Sequence, residues 1–208
     1  MIQSINITVH QDWRVIRKLY QTVLDLAQAN KLKQEVNDSP TAHYLISNHS
    51  SLWIDKKFTL NDWTSLSGEI IDTNLKWINQ ARELFSGLNF QGCSYNVTHI
   101  DLQMHVDIFP EEIKPVCKVN YIVSCADPDA VTLSRDANDP TIFHSYPSVP
   151  HTAWLLDTGL PHEVKSQGCR EILEFRFHNK YEILSEFFNL TGPIVFGDSS
   201  SNIEYNTL

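Results

Sequence analysis

The chain has 208 residues, 42% of them hydrophobic, enough for one domain with a sizeable core and too few to favour two. A formal charge of −9 and a pI near 5.4 exclude a nucleic-acid footprint built on clustered Lys and Arg. No apolar run approaches the roughly 20 residues of a membrane span. The polar start Met1-Ile-Gln-Ser-Ile-Asn6 has no basic region followed by an apolar core, so a soluble, cytoplasmic protein is expected.

In chain order, Asp12 to about Leu32 carries Val15, Ile16, Leu19, Val23, Leu26 and Ala27 at the spacing of an amphipathic helix. Ala42 to Ser47 reads as a short strand. Asp72 to Phe85 reads as a second helix, with Asp72 as N-cap and Gly87 as stop. From Thr98 the period changes to two, with His99, Asp101, Gln103, His105 and Asp107 on one face and Ile100, Leu102, Met104, Val106 and Ile108 on the other. Strand-like runs follow at Val116–Ser124, Ala130–Ser134, Thr141–Tyr146, Thr152–Asp157, Glu163–Lys165 and Arg170–Phe177. Clusters such as Asp127-Pro-Asp129 and Asn138-Asp-Pro140 punctuate them as turns. A closing helix is expected over Tyr181–Asn189 and a loose tail from Gly192.

Many short strands with regular turns predict a mainly β sandwich or barrel with flanking helices. One domain is expected: a mostly helical part over residues 1–90, a β core over 90–178, and a helix and tail over 179–208. Cys93, Cys117, Cys125 and Cys169 show no Cys-x-x-Cys spacing, which removes zinc-ribbon and thioredoxin readings and leaves reduced thiols. The Asn-x-Ser/Thr sequons at Asn6, Asn48, Asn96 and Asn189 are accidents of an Asn- and Ser-rich chain.

The face of the Thr98–Ile108 run carries the chemistry. An ordinary half-buried strand shows water Thr, Lys, Glu or Ser, whereas this one shows two histidines, two aspartates and a glutamine. His-x-Asp occurs at His10, His99 and His105. The first opens a helix as a cap. Of the other two, His105 and Asp107 are favoured over His99 and Asp101, because Asp107 runs into a strand end where a carboxylate can swing to complete a metal site. A lone histidine some fifty residues later, His162, follows the rigid Pro161 into Glu163-Val164. His144 and His151 are its rivals. Two histidines and a carboxylate occupy one face of an octahedral Fe(II) and leave three positions for a bidentate oxoacid and O₂. Arg170 lies an even number of residues beyond His162. A strand pair joined across Ser166-Gln-Gly168 would point it into the same cavity, where its guanidinium can clamp the oxoacid's far carboxylate. The chain has six arginines, so one in such a place counts.

In His105-Val-Asp107, in Asp157-Thr-Gly-Leu-Pro-His162-Glu-Val and in Arg170, the chain resembles the Fe(II)/2-oxoglutarate-dependent dioxygenases. Within these it is most similar to the aspartyl/asparaginyl β-hydroxylase and bacterial proline hydroxylase branch. The resemblance covers roughly residues 90 to 178. It implies a double-stranded β-helix of jelly-roll, cupin-like type, with His105, Asp107 and His162 as iron ligands and Arg170 as the 2-oxoglutarate anchor. In that branch the arginine commonly sits further beyond the distal histidine, which makes Arg176, on the same strand parity, the substitute. A hydroxyl from Tyr121, Ser134 or Thr132 would assist it. The implied activity is hydroxylation of an amino acid, a protein side chain or a small metabolite, with 2-oxoglutarate converted to succinate and CO₂. Arg135 and Lys118 are candidates for gripping a substrate carboxylate. The same architecture also serves other metal-dependent cupin-like enzymes and non-catalytic binding or interaction domains. A simple metal cupin has no use for Arg170.

Overall fold

The computed structural model describes residues 1–14, 16–18, 34–35, 41–45, 52–59, 62–70, 76–98, 101–107 and 117–198. Its strands are β1 (Ile2–Ile5), β2 (Ile7–Val9), β3 (Gln34–Glu35), β4 (Thr41–Leu45), β5 (Leu52–Thr59), β6 (Asp62–Ile70), β7 (Phe90–Thr98), β8 (Leu102–His105), β9 (Cys117–Cys125), β10 (Val131–Arg135), β11 (Phe143–Pro147), β12 (Ala153–Asp157), β13 (His162–Lys165), β14 (Arg170–Phe177) and β15 (Ile194–Phe196). Helices α1 (Lys76–Leu84) and α2 (Tyr181–Thr191) accompany them.

The strands β7 to β14 wind between two facing antiparallel sheets. The larger sheet has the order β1-β12-β9-β14-β7-β6-β5-β4-β3 and the smaller β11-β10-β13-β8. Within the larger sheet, β12, β9, β14 and β7 stand opposite the four strands of the smaller one. From β7 to β14 successive strands alternate between the sheets, except that β10 and β11 are neighbours in the smaller one, which is the strand order of a double-stranded β-helix. The sheets meet through Ile122 and Ile172 of the larger and Tyr146 of the smaller, and through cross-sheet hydrogen bonds from Asn120 to Tyr146 and from Arg170 to Thr132.

Alternation along β14 decides what lies inside this roll. Leu173, Phe175 and Phe177 point outward into the main apolar core, with Trp77, Ile78, Ala81 and Phe85 of the α1 region and Leu184 and Phe188 of α2. The residues of opposite parity, Arg170, Ile172, Glu174 and Arg176, face the interior. Most of the apolar burial thus sits behind the larger sheet, while the space between the sheets is lined largely by polar side chains. A roll that only needed stability would fill that space with apolar residues.

Several expectations are corrected here. Among the described residues of the first ninety are the strands β1 to β6, the helix α1 and the helical residues 13–14 and 16–18, so strands stand beside helices in that part. β5 and β6 extend the larger sheet beyond β7 through backbone pairing, Ser65 to Ile70 lying opposite Thr98 to Cys93. Of the helix expected from Asp12, residues 13–14 and 16–18 are helical and the rest lies outside the described residues. The helix expected from Asp72 is observed as α1, with Asp72 itself outside the described residues. The Thr98–Ile108 run is not one strand: Thr98 ends β7, and β8 spans only Leu102–His105. The expected loose tail contains β15, which pairs in parallel with β2. Gly197 closes that pairing at a φ of 87°, where a Cβ would collide with the His10 backbone carbonyl. All four cysteines are free, and among the described residues no helix is long and apolar enough to cross a membrane.

Candidate metal and oxoacid site

His105 is the last residue of β8 and His162 the first of β13, and the two are direct partners in the ladder between those strands. Their ring centroids are 4.3 Å apart. Asp107, two residues beyond β8, turns its carboxylate toward both. Its Oδ1 lies 3.7 Å from His105 Nε2 and 4.0 Å from His162 Nε2. The ligand atoms of all three residues lie within 4.8 Å of one another.

Backbone carbonyls set both rings. His105 Nδ1 donates to the Gln103 carbonyl at 2.7 Å, and His162 Nδ1 donates to the Leu160 carbonyl at 2.9 Å. A carbonyl can only accept, so the proton of each neutral imidazole resides on Nδ1. Each Nε2 then presents a bare lone pair to the space shared with Asp107. Burial holds the His162 pKa below its ordinary value, which keeps the ring neutral. Burial alone would raise the Asp107 carboxyl, but the Lys118 ammonium beside it outweighs burial and holds it below the usual carboxylate range. His162 and Asp107 are therefore in their metal-binding protonation states.

The fit of a metal can be judged from these distances. Ligand atoms about 2.1 Å from one ion at right angles stand about 3 Å apart. Closing the observed triangle from 3.7 and 4.0 Å needs contractions of roughly 0.7 to 1 Å on those two edges, within reach of side-chain rotation. Each histidine already has the second-sphere hydrogen bond that orients metal-ligating imidazoles. The residues fit a divalent transition metal bound by two nitrogens and one oxygen.

Arg170 opens β14 and is 3% exposed. Its Nη1 donates to Thr132 Oγ1 at 2.9 Å and reaches Ser148 Oγ at 3.4 Å, while its Nε has no hydrogen-bond partner among the described residues. No carboxylate among the described residues pairs with it, and a buried guanidinium satisfied only by hydroxyls is short of a counter-ion. Thr132 stands on β10 two residues from Ser134, which lies directly opposite His162. Two residues of strand are about 7 Å, so the tip of Arg170 is offset from the histidines by roughly the length of a five-carbon diacid.

The hairpin expected to carry His162 and Arg170 is not formed. β13 belongs to the smaller sheet and β14 to the larger, so residues 166–169 cross between sheets. Both side chains nevertheless face the interior, from opposite walls. The other candidates fall as follows. His99 lies outside the described residues. Asp101 accepts from the Ser166 backbone N–H at 2.6 Å and ties down the crossing to β14. Tyr121 points to the outer face of the larger sheet, stacked on Trp13 with its hydroxyl 3.2 Å from His151 Nδ1. Ser134 is fully buried across from His162, but Thr132 is the hydroxyl that Arg170 touches. Arg176 shares the inward parity of Arg170 at the other end of β14, in register with Lys118. Arg135 lies against Phe143, 5.5 Å from the ring centre.

The rival histidines are engaged elsewhere. His151, at a φ of 64°, faces Tyr121. His144 Nε2 lies 2.7 Å from Asp136 Oδ2 at the surface. That contact, followed by the Asn138 and Asp139 backbone N–H groups, draws the Asp136 carboxyl down to about 2. His144→Ala is expected to raise the Asp136 titration toward the ordinary carboxylate range, as read from its carboxyl carbon shift by NMR. Because the folded value is depressed, any stability it contributes is present at neutral pH and is lost as pH falls toward 2.

Sequence reasoning set Lys118 aside for substrate. It is instead a structural partner of the site: Nζ lies 2.7 Å from Asp107 Oδ2 and 3.3 Å from Glu174 Oε2. Burial would lower the Lys118 ammonium, yet Glu174 and Asp107 hold it above its ordinary value. Its signal was present in β9, where Lys118 and Asn120 are polar at alternate positions of an otherwise largely apolar strand.

No family model and no curated protein sequence matches the chain. Among solved structures, it is similar to a Pseudomonas putida prolyl-4-hydroxylase at 14% identity, over 86% of this chain and 92% of that one, with a TM-score of 0.44. It is similar to an oxidoreductase of the 2OG-Fe(II) oxygenase family from Burkholderia pseudomallei at 15% identity, over 76% and 77% of the two chains, with a TM-score of 0.42. A likeness to hazelnut (Corylus avellana) vicilin, at 10% identity and a TM-score of 0.39, covers 58% of this chain and 31% of that one. These are distant likenesses of overall shape. The double-stranded β-helix follows from the strand order independently of them.

Proposed function

We infer that the chain is an Fe(II)- and 2-oxoglutarate-dependent oxygenase that hydroxylates an amino acid, a protein side chain or a small metabolite. The observation that carries this reading is the conjunction of two bare imidazole nitrogens and a carboxylate oxygen on one side of the roll with a buried arginine on the other that pairs with no carboxylate among the described residues. A cupin-like enzyme that used only a metal would have no need of Arg170, and an interaction domain would need neither group.

His105, Asp107 and His162 would hold the iron, leaving three of six positions open. Arg170, steadied by Thr132 and Ser148, would pair with the far carboxylate of 2-oxoglutarate. When bound, the metal and oxoacid together supply the oxidative chemistry: decarboxylation of 2-oxoglutarate to succinate and CO₂ by O₂, with one oxygen atom passed to a substrate C–H bond. The protein's share is placement. The Gln103 and Leu160 carbonyls fix the tautomers, Lys118 holds the second oxygen of Asp107, and the two sheets shield the oxoacid from bulk water. The resemblance to the aspartyl/asparaginyl β-hydroxylase and bacterial proline hydroxylase branch makes free amino acids and short peptides the first substrates to offer.

Protein loaded with Fe(II) and supplied with 2-oxoglutarate in air is expected to form succinate in a metal-dependent way, and faster when the pool contains the substrate. Succinate and CO₂ can be followed together. Tight metal binding with no succinate under any pool would refute the oxygenase reading and leave the cupin-like metal enzyme.

A further inference from the structure

Asp107 stands two residues beyond the end of β8. Its backbone N–H donates to the Thr158 carbonyl at 3.2 Å, which places the main chain but leaves the side-chain rotation open. That rotation is set from the opposite sheet. Lys118 of β9 holds Asp107 Oδ2 at 2.7 Å and reaches Glu174 Oε2 of β14 at 3.3 Å. Glu174 in turn accepts from Ser94 Oγ at 3.3 Å and from Asn96 Nδ2 at 3.2 Å, both on β7. A chain of contacts thus crosses three adjacent strands of the larger sheet and ends on one oxygen of one carboxylate. Both histidine Nε2 atoms face the other oxygen.

We propose that Lys118 is a positioning residue that restricts Asp107 to one-oxygen metal ligation, with Glu174 as its anchor. The inference rests on the metal-site reading above. Its consequence is a count of coordination positions. Three protein donors leave three positions on an octahedral ion, two for the chelating end of an oxoacid and one for O₂. A carboxylate free to bind through both oxygens would take a fourth and compete with the oxoacid. Lys118 occupies the oxygen that would do so, and its ammonium, fixed to the sheet through Glu174, cannot follow the carboxylate if it rotates.

The test uses the full chain and Co(II), whose visible absorption responds to coordination number and geometry. The parent is expected to bind Co(II), and Lys118→Arg, which can still bridge two carboxylates, to reproduce its spectrum. Lys118→Met is expected to change the spectrum, to bind Co(II) at parental affinity or tighter, and to weaken 2-oxoglutarate binding to the Co(II) form by at least about 10-fold, the scale of outer-sphere effects in metal sites. A parental spectrum and parental 2-oxoglutarate affinity in Lys118→Met would overturn the positioning role while leaving the metal site standing. Failure of the parent to bind Co(II) would overturn the metal reading and this proposal with it. Should burial of an unpaired Glu174 prevent Lys118→Met from folding, the double variant Lys118→Met/Glu174→Gln carries no such unpaired charge and is judged by the same two readouts.

Discussion

Replacing His162 with alanine is expected to lower the affinity for a divalent transition metal by more than about 100-fold, beyond what loss of a supporting group costs, while the protein stays folded. His162 supplies one of two nitrogen donors, and the remaining pair, His105 and Asp107, cannot define a face of an octahedron. The fold should tolerate the change because the ring makes little of the local structure. Its Nδ1 bond goes to the Leu160 carbonyl of its own entry turn, and the pairing of β13 with β10 and β8 is made by backbone. Removing an imidazole crowded against another ring at 4.3 Å relieves as much as it disturbs. Titration with Mn(II) or Co(II) reads the affinity and a thermal melt reads the fold. Parental metal affinity in a folded His162→Ala protein would remove the site from consideration. His144→Ala and His151→Ala, which alter histidines engaged with Asp136 and Tyr121, should leave metal affinity unchanged.

The strands themselves were easier to read in the sequence than the path of the chain between them. Among the runs from Cys117 to Phe177, Cys117–Cys125 and Arg170–Phe177 were legible because each alternates between a largely polar and an apolar face, and others because they stop at turn residues such as Asp136 and Asp157. Periodicity names the buried face of a strand, yet it is silent about which sheet the next strand joins. That is why His162 and Arg170 were expected on a hairpin and are found on facing walls. The correct inward parity of Arg170 came from its own strand, β14, and from nothing in the turn before it. The strict alternation after Thr98 was likewise read as one strand, although Thr98 ends β7 and the chain re-enters the smaller sheet only at Leu102. β5 and β6 went unseen for a different reason. They contain Lys56-Lys57, Ser65, Ser67 and Gly68, residue types that strands disfavour or leave undecided, and their pairing with β7 is a matter of backbone register that composition does not display. Lys118 was visible as a polar residue at an alternate position in an apolar strand, but its partners, Asp107 and Glu174, are 11 positions before and 56 after it. No local pattern joins them.

Arg170→Ala is expected to weaken 2-oxoglutarate far more than it weakens the metal. The guanidinium is 3% exposed and has only the Thr132 and Ser148 hydroxyls for partners among the described residues. Among the described residues no carboxylate compensates its charge, which an incoming carboxylate would do. Breaking such a contact in a partly dry cavity costs about 2–4 kcal/mol, because truncation leaves the acid unpaired. On the scale of 1.4 kcal/mol per decade this is roughly 30-fold or more in half-saturation. Metal affinity should barely move, since no metal donor touches Arg170. The fold offers a second, opposite signature. In the ligand-free protein a buried charge without a counter-ion opposes folding, so Arg170→Met, which keeps the aliphatic length, should melt no lower than the parent. What it should lose is the extra stability that 2-oxoglutarate confers on the metal-loaded parent, a shift that follows directly from ligand affinity. Arg176→Met serves as the companion measurement. Arg176 shares the inward parity but stands in register with Lys118, six residues from Arg170 along β14, and it should leave the 2-oxoglutarate half-saturation near the parental value. A large loss there, with Arg170→Ala unaffected, would move the anchor to the other end of the strand.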